Sequence, residues 1–172
     1  MRIYFTASIT AMDKYRVHYE KIIEYLRREG YDVQADHILK AELEVREHQD
    51  DEQKVNYYRN FLKSVGVSDI VVAEASYPST VHIGHEISIA LGKGKPVIVL
   101  YLKGKEPIFL KGITNDKLLM VEYTLETLES ELKYVLEEAK EGMDVRFNFF
   151  VSPKIVAFLD WVAKKKKMPR EL

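Results

Sequence analysis

The stretch SDIVVAEASYPSTVHIGHE, residues 68–86, decides the fold. Within it Ile70 to Ala73 is a short unbroken apolar run bounded by Asp69 and later polar residues, the pattern of a parallel strand covered on both faces. A polar loop follows, Glu74 to His82. A helical stretch from Gly84 to Leu91 then ends at Gly92 and Gly94, before the next apolar run, Pro96 to Tyr101. Strand, loop, helix and strand make one βαβ unit.

The same grammar extends outward in both directions. Met1 to Ala7 reads as a strand, Ser8 to Asp13 as a polar turn, and Tyr15, Tyr19, Ile22, Ile23 and Leu26 as the buried stripe of a helix that Gly30 closes. Tyr31 to Ala35 alternates as a second strand, Lys40 to Gln53 is charged enough to read as a solvated loop, and Val55 to Val65 resumes helical spacing. On the other side Leu118 to Val121 reads as a strand and Thr124 to Lys140 as a helix. The expected fold is α/β, a doubly wound, Rossmann-like or flavodoxin-like parallel sheet of about five strands flanked by helices with right-handed crossovers. Ligands of such sheets bind beyond the carboxyl ends of the strands.

Composition narrows the function classes. The 172 residues, 47% hydrophobic, are enough for one core plus an appendage, which divides the chain into a domain of residues 1–142 and a strand-helix appendage of residues 143–172. With 26 basic and 27 acidic residues, a polyanion-binding surface is not required by total charge. Cysteine is absent, which removes disulfides, thiolate metal sites and cysteine nucleophiles and fits a reducing compartment. The chain opens directly into strand pattern and no apolar run approaches a membrane span, so a soluble, cytoplasmic protein without membrane contact is expected.

Chemistry concentrates after the central strand. Residues 76–86 bring hydroxyls, two imidazoles and one carboxylate to the expected site edge. In the first turn of its expected helix, Glu86 would be kept ionised by the helix dipole, and Gly84 would let a ligand approach the backbone. An ionised carboxylate there suits attack on an anomeric carbon. Taken alone, a glutamate in a first turn ordinarily just complements its own helix. Tyr4 alone would be a core tyrosine, Tyr58 beside Tyr57 a packing residue, and His37 a strand-end cap. His82 and His85 lack a third ligand in any metal-binding pattern, so neither metal nor cofactor is expected.

The chain as a whole resembles the nucleoside 2-deoxyribosyltransferase superfamily, and within it the 2'-deoxynucleoside 5'-phosphate N-hydrolases. The resemblance lies in Tyr4-Phe5-Thr6-Ala7-Ser8-Ile9, Asp36-His37 with Ala41-Glu42-Leu43, Ser68 to Glu74, Pro78-Ser79, Gly84-His85-Glu86 and Lys95, and covers roughly the first 140 residues in family order. It implies cleavage of the N-glycosidic bond of a 2'-deoxynucleoside or its 5'-monophosphate, or deoxyribosyl transfer between bases. Glu86 would be the nucleophile, Tyr4 would position sugar and nucleophile, and Ser79 with Ser8 and Ile9 would contact substrate. His37 and Gly84 fall in the same substrate-binding set. Family subunits pair and complete each other's sites, which implies a homodimer or dimer-based assembly.

The chain departs from the family pattern at defined places. Tyr58 stands where the family has an aspartate that orients the sugar and handles the proton on the base, and Asp50 or Asp51 is the alternative replacement. Thr10 stands in place of an arginine and His82 in place of a glycine, and a serine is missing near Lys111. His82, His85 and Lys111 are then the candidate cationic or donor contacts. These losses keep a catalytically silent nucleotide sensor as the reading from another class.

In the appendage, Val145 to Val151 alternates as a strand, Ser152-Pro153 opens a helix through Trp161, and Lys164 to Lys167 form a basic run. This resembles the start of a ribbon-helix-helix domain over about 30 residues. Dimerisation or capping is the preferred role, with nucleic-acid contact second.

Overall fold

The computed structural model describes residues 1–39, 50–143 and 152–166. At its centre lies β3, Ile70–Glu74, buried at every residue. β1, Arg2–Ala7, runs parallel to it on one side, with β2, Asp32–Gln34, beyond. β4, Val97–Leu102, and β5, Leu118–Tyr123, continue on the other side, also parallel. The order β2-β1-β3-β4-β5 is the flavodoxin-like doubly wound order, whose direction of winding reverses between β1 and β3. A cleft at the carboxyl end of those two strands is the expected ligand position.

Alternation along the strands divides the core. Ile3, Phe5, Ile70, Val72, Ile98 and Leu100 face one layer, formed by α1 (Met12–Arg28) and α5 (Leu128–Glu141). Tyr4, Val71, Ala73, Val97 and Val99 face the other, formed by α3 (Asp51–Val67) and α4 (Val81–Gly92). The α1 stripe of Tyr15, Tyr19, Ile22, Ile23 and Leu26 is buried as its spacing requires. Each fully buried Ile or Leu on these faces contributes about 1.5–3 kcal/mol of transfer free energy. Gly30 and Gly94, both at positive φ, turn the chain after α1 and α4. Lys95 donates to the Gly66 and Ser68 carbonyls at the end of α3, at 3.1 and 2.7 Å, where a cation complements the helix dipole.

Five expected boundaries shift. The charged run expected as a loop through Gln53 gives way to helix at Asp51, because Asp50 and Gln53 form a capping box. The expected loop residue Glu74 ends β3, and α4 starts three residues earlier than Gly84, at Val81. The last long helix of the domain starts at Leu128 rather than Thr124, because Thr124 and Thr127 exchange backbone-to-hydroxyl bonds of 3.0 and 3.3 Å that form a turn instead. A short helix, α2, occupies Asp36–Leu39, and α6 spans Pro153–Lys166, longer than the stretch to Trp161. The expected strand 145–151, the Ala41-Glu42-Leu43 segment and Lys167 lie outside the described residues. No helix among the described residues is long and apolar enough to cross a membrane.

Candidate active site

Beyond the carboxyl ends of β1 and β3 lies a cavity of about 620 Å³, within the range that holds a small-molecule ligand. The turn after β1 contributes Thr10, α3 contributes Tyr58 and Phe61, and α4 contributes His82, His85 and Glu86. The walls are mostly aromatic and apolar. Such surroundings suit a planar base beside a sugar.

Tyr4 and Glu86 meet in this region. The Tyr4 hydroxyl donates to Glu86 Oε2 at 3.4 Å, across the gap between β1 and α4. Tyr4 is 2% exposed, lies parallel on His37 and meets the Phe61 ring at a tilt, so three elements hold its ring. Thr80 is the N-cap of α4, so Glu86 sits in the second helical turn and not in the first. The dipole argument made from sequence therefore does not hold at Glu86, since that effect fades within the first turn.

Tyr58 reaches the residue next to Glu86. Its hydroxyl is 3.4 Å from His85 Nε2, its ring stacks on the imidazole with centroids 6.0 Å apart, and its other neighbour is Phe61. Ile9, Thr10 and His82 also line the cavity. Ser8 lies behind them, buried, with its hydroxyl 3.0 Å from Thr10 Oγ1. Ser79 and Gly84 belong instead to a neighbouring cavity of about 680 Å³, which shares only Thr80, Val81 and His85 with the first. Lys111 lines neither and pairs with Glu106 at 3.1 Å. Asp50 caps α3, accepting from the Gln53 N–H at 2.7 Å, and Asp51 pairs with Lys54 at 3.2 Å; neither lines the cavity.

Sequence reading passed over Lys54, which lines the cavity one helical turn before Tyr58; that spacing of four was the available signal. It also passed over a second carboxyl, on the opposite face of the sheet. Glu74 is buried, accepts from the Ser76 hydroxyl, and accepts from Tyr123 at 3.4 Å. Ser76 in turn accepts from the Leu102 N–H at 2.8 Å. Loss of water pushes the Glu74 carboxyl up to about 7, against the hydrogen bonds from Ser76 and Tyr123. The same burial, with Glu74 nearby, raises both the Tyr19 and the Tyr123 phenols. No group of three His, Asp or Glu side chains suited to a metal occurs among the described residues.

A protein from Syntrophotalea carbinolica is 30% identical over 143 residues, covering 80% of this chain and 96% of its own length. A second, from Thermofilum pendens, is 29% identical over 140 residues, covering 77% of this chain and 95% of its own. Both carry the name "Putative 2'-deoxynucleoside 5'-phosphate N-hydrolase 1". This chain belongs to the 2'-deoxynucleoside 5'-phosphate N-hydrolase family. Nearly the whole length of these family members is matched, while part of this chain extends beyond them. The solved structure of a CMP N-glycosidase from Clostridium botulinum, BcmB, shares this chain's fold at a TM-score of 0.52 and 17% identity, covering 80% of this chain and 99% of that one. No protein-family model matches the chain.

Proposed function

We propose that this protein hydrolyses the N-glycosidic bond of 2'-deoxynucleoside 5'-monophosphates, with Glu86 as nucleophile. The Tyr4–Glu86 contact carries this reading: a tyrosine buried in the sheet presents its hydroxyl to a carboxylate in an aromatic cavity at the carboxyl edge of β1 and β3. The names of the two relatives supply the substrate class.

In this mechanism a Glu86 oxygen attacks C1' as the bond to the base lengthens, through an oxocarbenium-like transition state, and a glycosyl ester forms. Water attacks the same carbon in the second step, with net retention. Tyr4 orients the carboxylate and then follows its charge as that charge is consumed and restored. Thr10, Lys54 and His82 are the donors for a 5'-phosphate, and Tyr57, Phe61 and Ile38 supply the apolar wall for base and sugar.

The assembly we propose is a homodimer. Val81, Ile108 and Phe109 are exposed around the second cavity, and on α6 Ile155, Phe158 and Trp161 are exposed, with the last two rings stacked at 6.1 Å. Apolar surface of this kind favours pairing. Residues 143–172 are then an appendage for pairing, with DNA contact the lesser role.

Incubation with a panel of deoxynucleosides and their 5'-monophosphates, with and without a free acceptor base, tests the function. Release of base and 2-deoxyribose 5-phosphate supports it. Base exchange alone would replace it with a transferase, and tight binding without turnover with a nucleotide sensor.

A further inference from the structure

Cleaving a bond between C1' and a base leaves an electron pair on the base nitrogen. At neutral pH that departure is slow unless a positioned acid supplies a proton. Glu86 is the only carboxyl among the described residues lining the cavity, and a nucleophile cannot also be the acid in the same step. The remaining proton carriers there are Lys54, Tyr57, Tyr58, His82 and His85. Imidazole is the side chain that ordinarily changes charge near neutrality. Of the two imidazoles, His85 has its ring held by a hydroxyl partner: Tyr58 Oη is 3.4 Å from Nε2, with the rings stacked 24° from parallel.

We infer that Tyr58 and His85 together form the acid that protonates the departing base, an assignment that rests on the N-glycosidase reading above. The imidazolium gives its Nε2 proton to Tyr58 Oη as the phenol gives its own to the base nitrogen. The C–N bond breaks with its electron pair on that nitrogen, while a Glu86 oxygen bonds to C1'. A neutral base, a glycosyl ester and a neutral imidazole result. In the second step water attacks C1' and loses a proton to Tyr58, which passes one to His85; Glu86 is freed and the imidazolium restored. His85 and Glu86 are consecutive on α4, so one rigid element carries the nucleophile and the imidazolium, while Tyr58 reaches that imidazole from α3.

The other charged and titratable groups that line the cavity with His85 are Lys54, Tyr57 and Tyr58 from α3, and His82 and Glu86 from its own helix. The second cavity on its other side adds Tyr77 and no charged residue among the described lining.

The test compares wild type, H85Q, Y58F and E86Q on two substrates. One is the deoxynucleoside 5'-monophosphate that wild type turns over fastest. The other is 4-nitrophenyl 2-deoxyriboside 5-phosphate, whose leaving group departs without a proton. H85Q and Y58F should lower kcat/KM on the nucleotide by about 10²-fold or more while lowering kcat/KM on the nitrophenyl substrate, which reports ester formation alone, less than about threefold. The fall of wild-type kcat/KM at alkaline pH should vanish in H85Q. An equal loss of kcat/KM on both substrates, or an unchanged kcat/KM on the nucleotide, overturns the acid assignment. The E86Q variant separates the two readings: E86Q inactive on both substrates with H85Q at wild-type rate on the nucleotide overturns the acid alone. Wild type inactive on both substrates overturns the N-glycosidase reading and the acid with it.

Discussion

Tyr4 and His37 lie face to face, with ring centroids 4.8 Å apart and planes 7° from parallel. β1 supplies one ring and α2 the other, so the phenol is clamped between sheet and helix with its hydroxyl toward Glu86. Stacked pairs of this kind contribute about 0.5–1.5 kcal/mol beyond area burial. Here that energy fixes a direction.

Tyr4→Phe keeps the ring and removes the hydroxyl. We expect kcat on the best deoxynucleotide to fall by about 10–10²-fold with a smaller change in KM, because the hydroxyl orients the attacking carboxylate and its hydrogen bond strengthens as charge returns to Glu86 in the second step. Steady-state kinetics check this. A rate within twofold of wild type would reduce Tyr4 to a core residue.

Glu74 predicts an unusual pH profile of stability. Its carboxyl is raised from 4.5 to about 7 in the folded state, chiefly by desolvation, so the folded chain holds that proton more tightly than the unfolded one. Its contribution is complete below pH 4.5 and is lost as pH rises toward 7, by about 3 kcal/mol at roughly 1.4 kcal/mol per pH unit. Glu74→Gln cannot ionise. Denaturant unfolding at several pH values should therefore show the variant gaining on wild type between pH 5 and 8. A constant difference across that range would contradict the assignment.

The sheet was legible because Ile70 to Ala73 and Val97 to Leu100 are apolar without interruption, which only a strand buried on both faces requires. Tyr4 and Glu86 were legible through the resemblance, since 82 positions separate them and no local pattern joins them. The start of α4 was misread because Val81 is exposed and follows Pro78-Ser79-Thr80, so hydrophobic spacing does not mark it. The capping box at Asp50 and Gln53 was readable but lay inside a charge run. The separation of Ser79 from the Glu86 cavity has no sequence signal, because it depends on how the loop after β3 folds over the sheet edge. The burial of Glu74 was missed because its charge marked it as loop, although it continues the alternation of Ile70 and Val72.

Phe109 is 92% exposed and Ile108 74%, beside the second cavity. If that face pairs copies of the chain, light scattering at micromolar concentration should give the mass of two chains, and Phe109→Asp should shift it toward one. A monomeric wild type would remove the dimer from the account.

Asp50→Ala removes the α3 cap and should cost about 0.5–2 kcal/mol in denaturant unfolding. Its effect on kcat at a temperature where the variant stays folded should be under about twofold, because Asp50 does not line the cavity. A larger loss of kcat would return Asp50 to the catalytic set.

The nucleophile itself is most directly observed as an ester. A deoxyribosyl substrate with a fast leaving group, quenched in acid during turnover and digested, should yield the peptide containing Glu86 heavier by one deoxyribosyl 5-phosphate group, with fragmentation locating the mass on Glu86. In Glu86→Gln the adduct should be absent and turnover lower by about 10³-fold or more, with the fold intact by circular dichroism. An adduct on another residue, or Glu86→Gln retaining activity within tenfold of wild type, would contradict the mechanism.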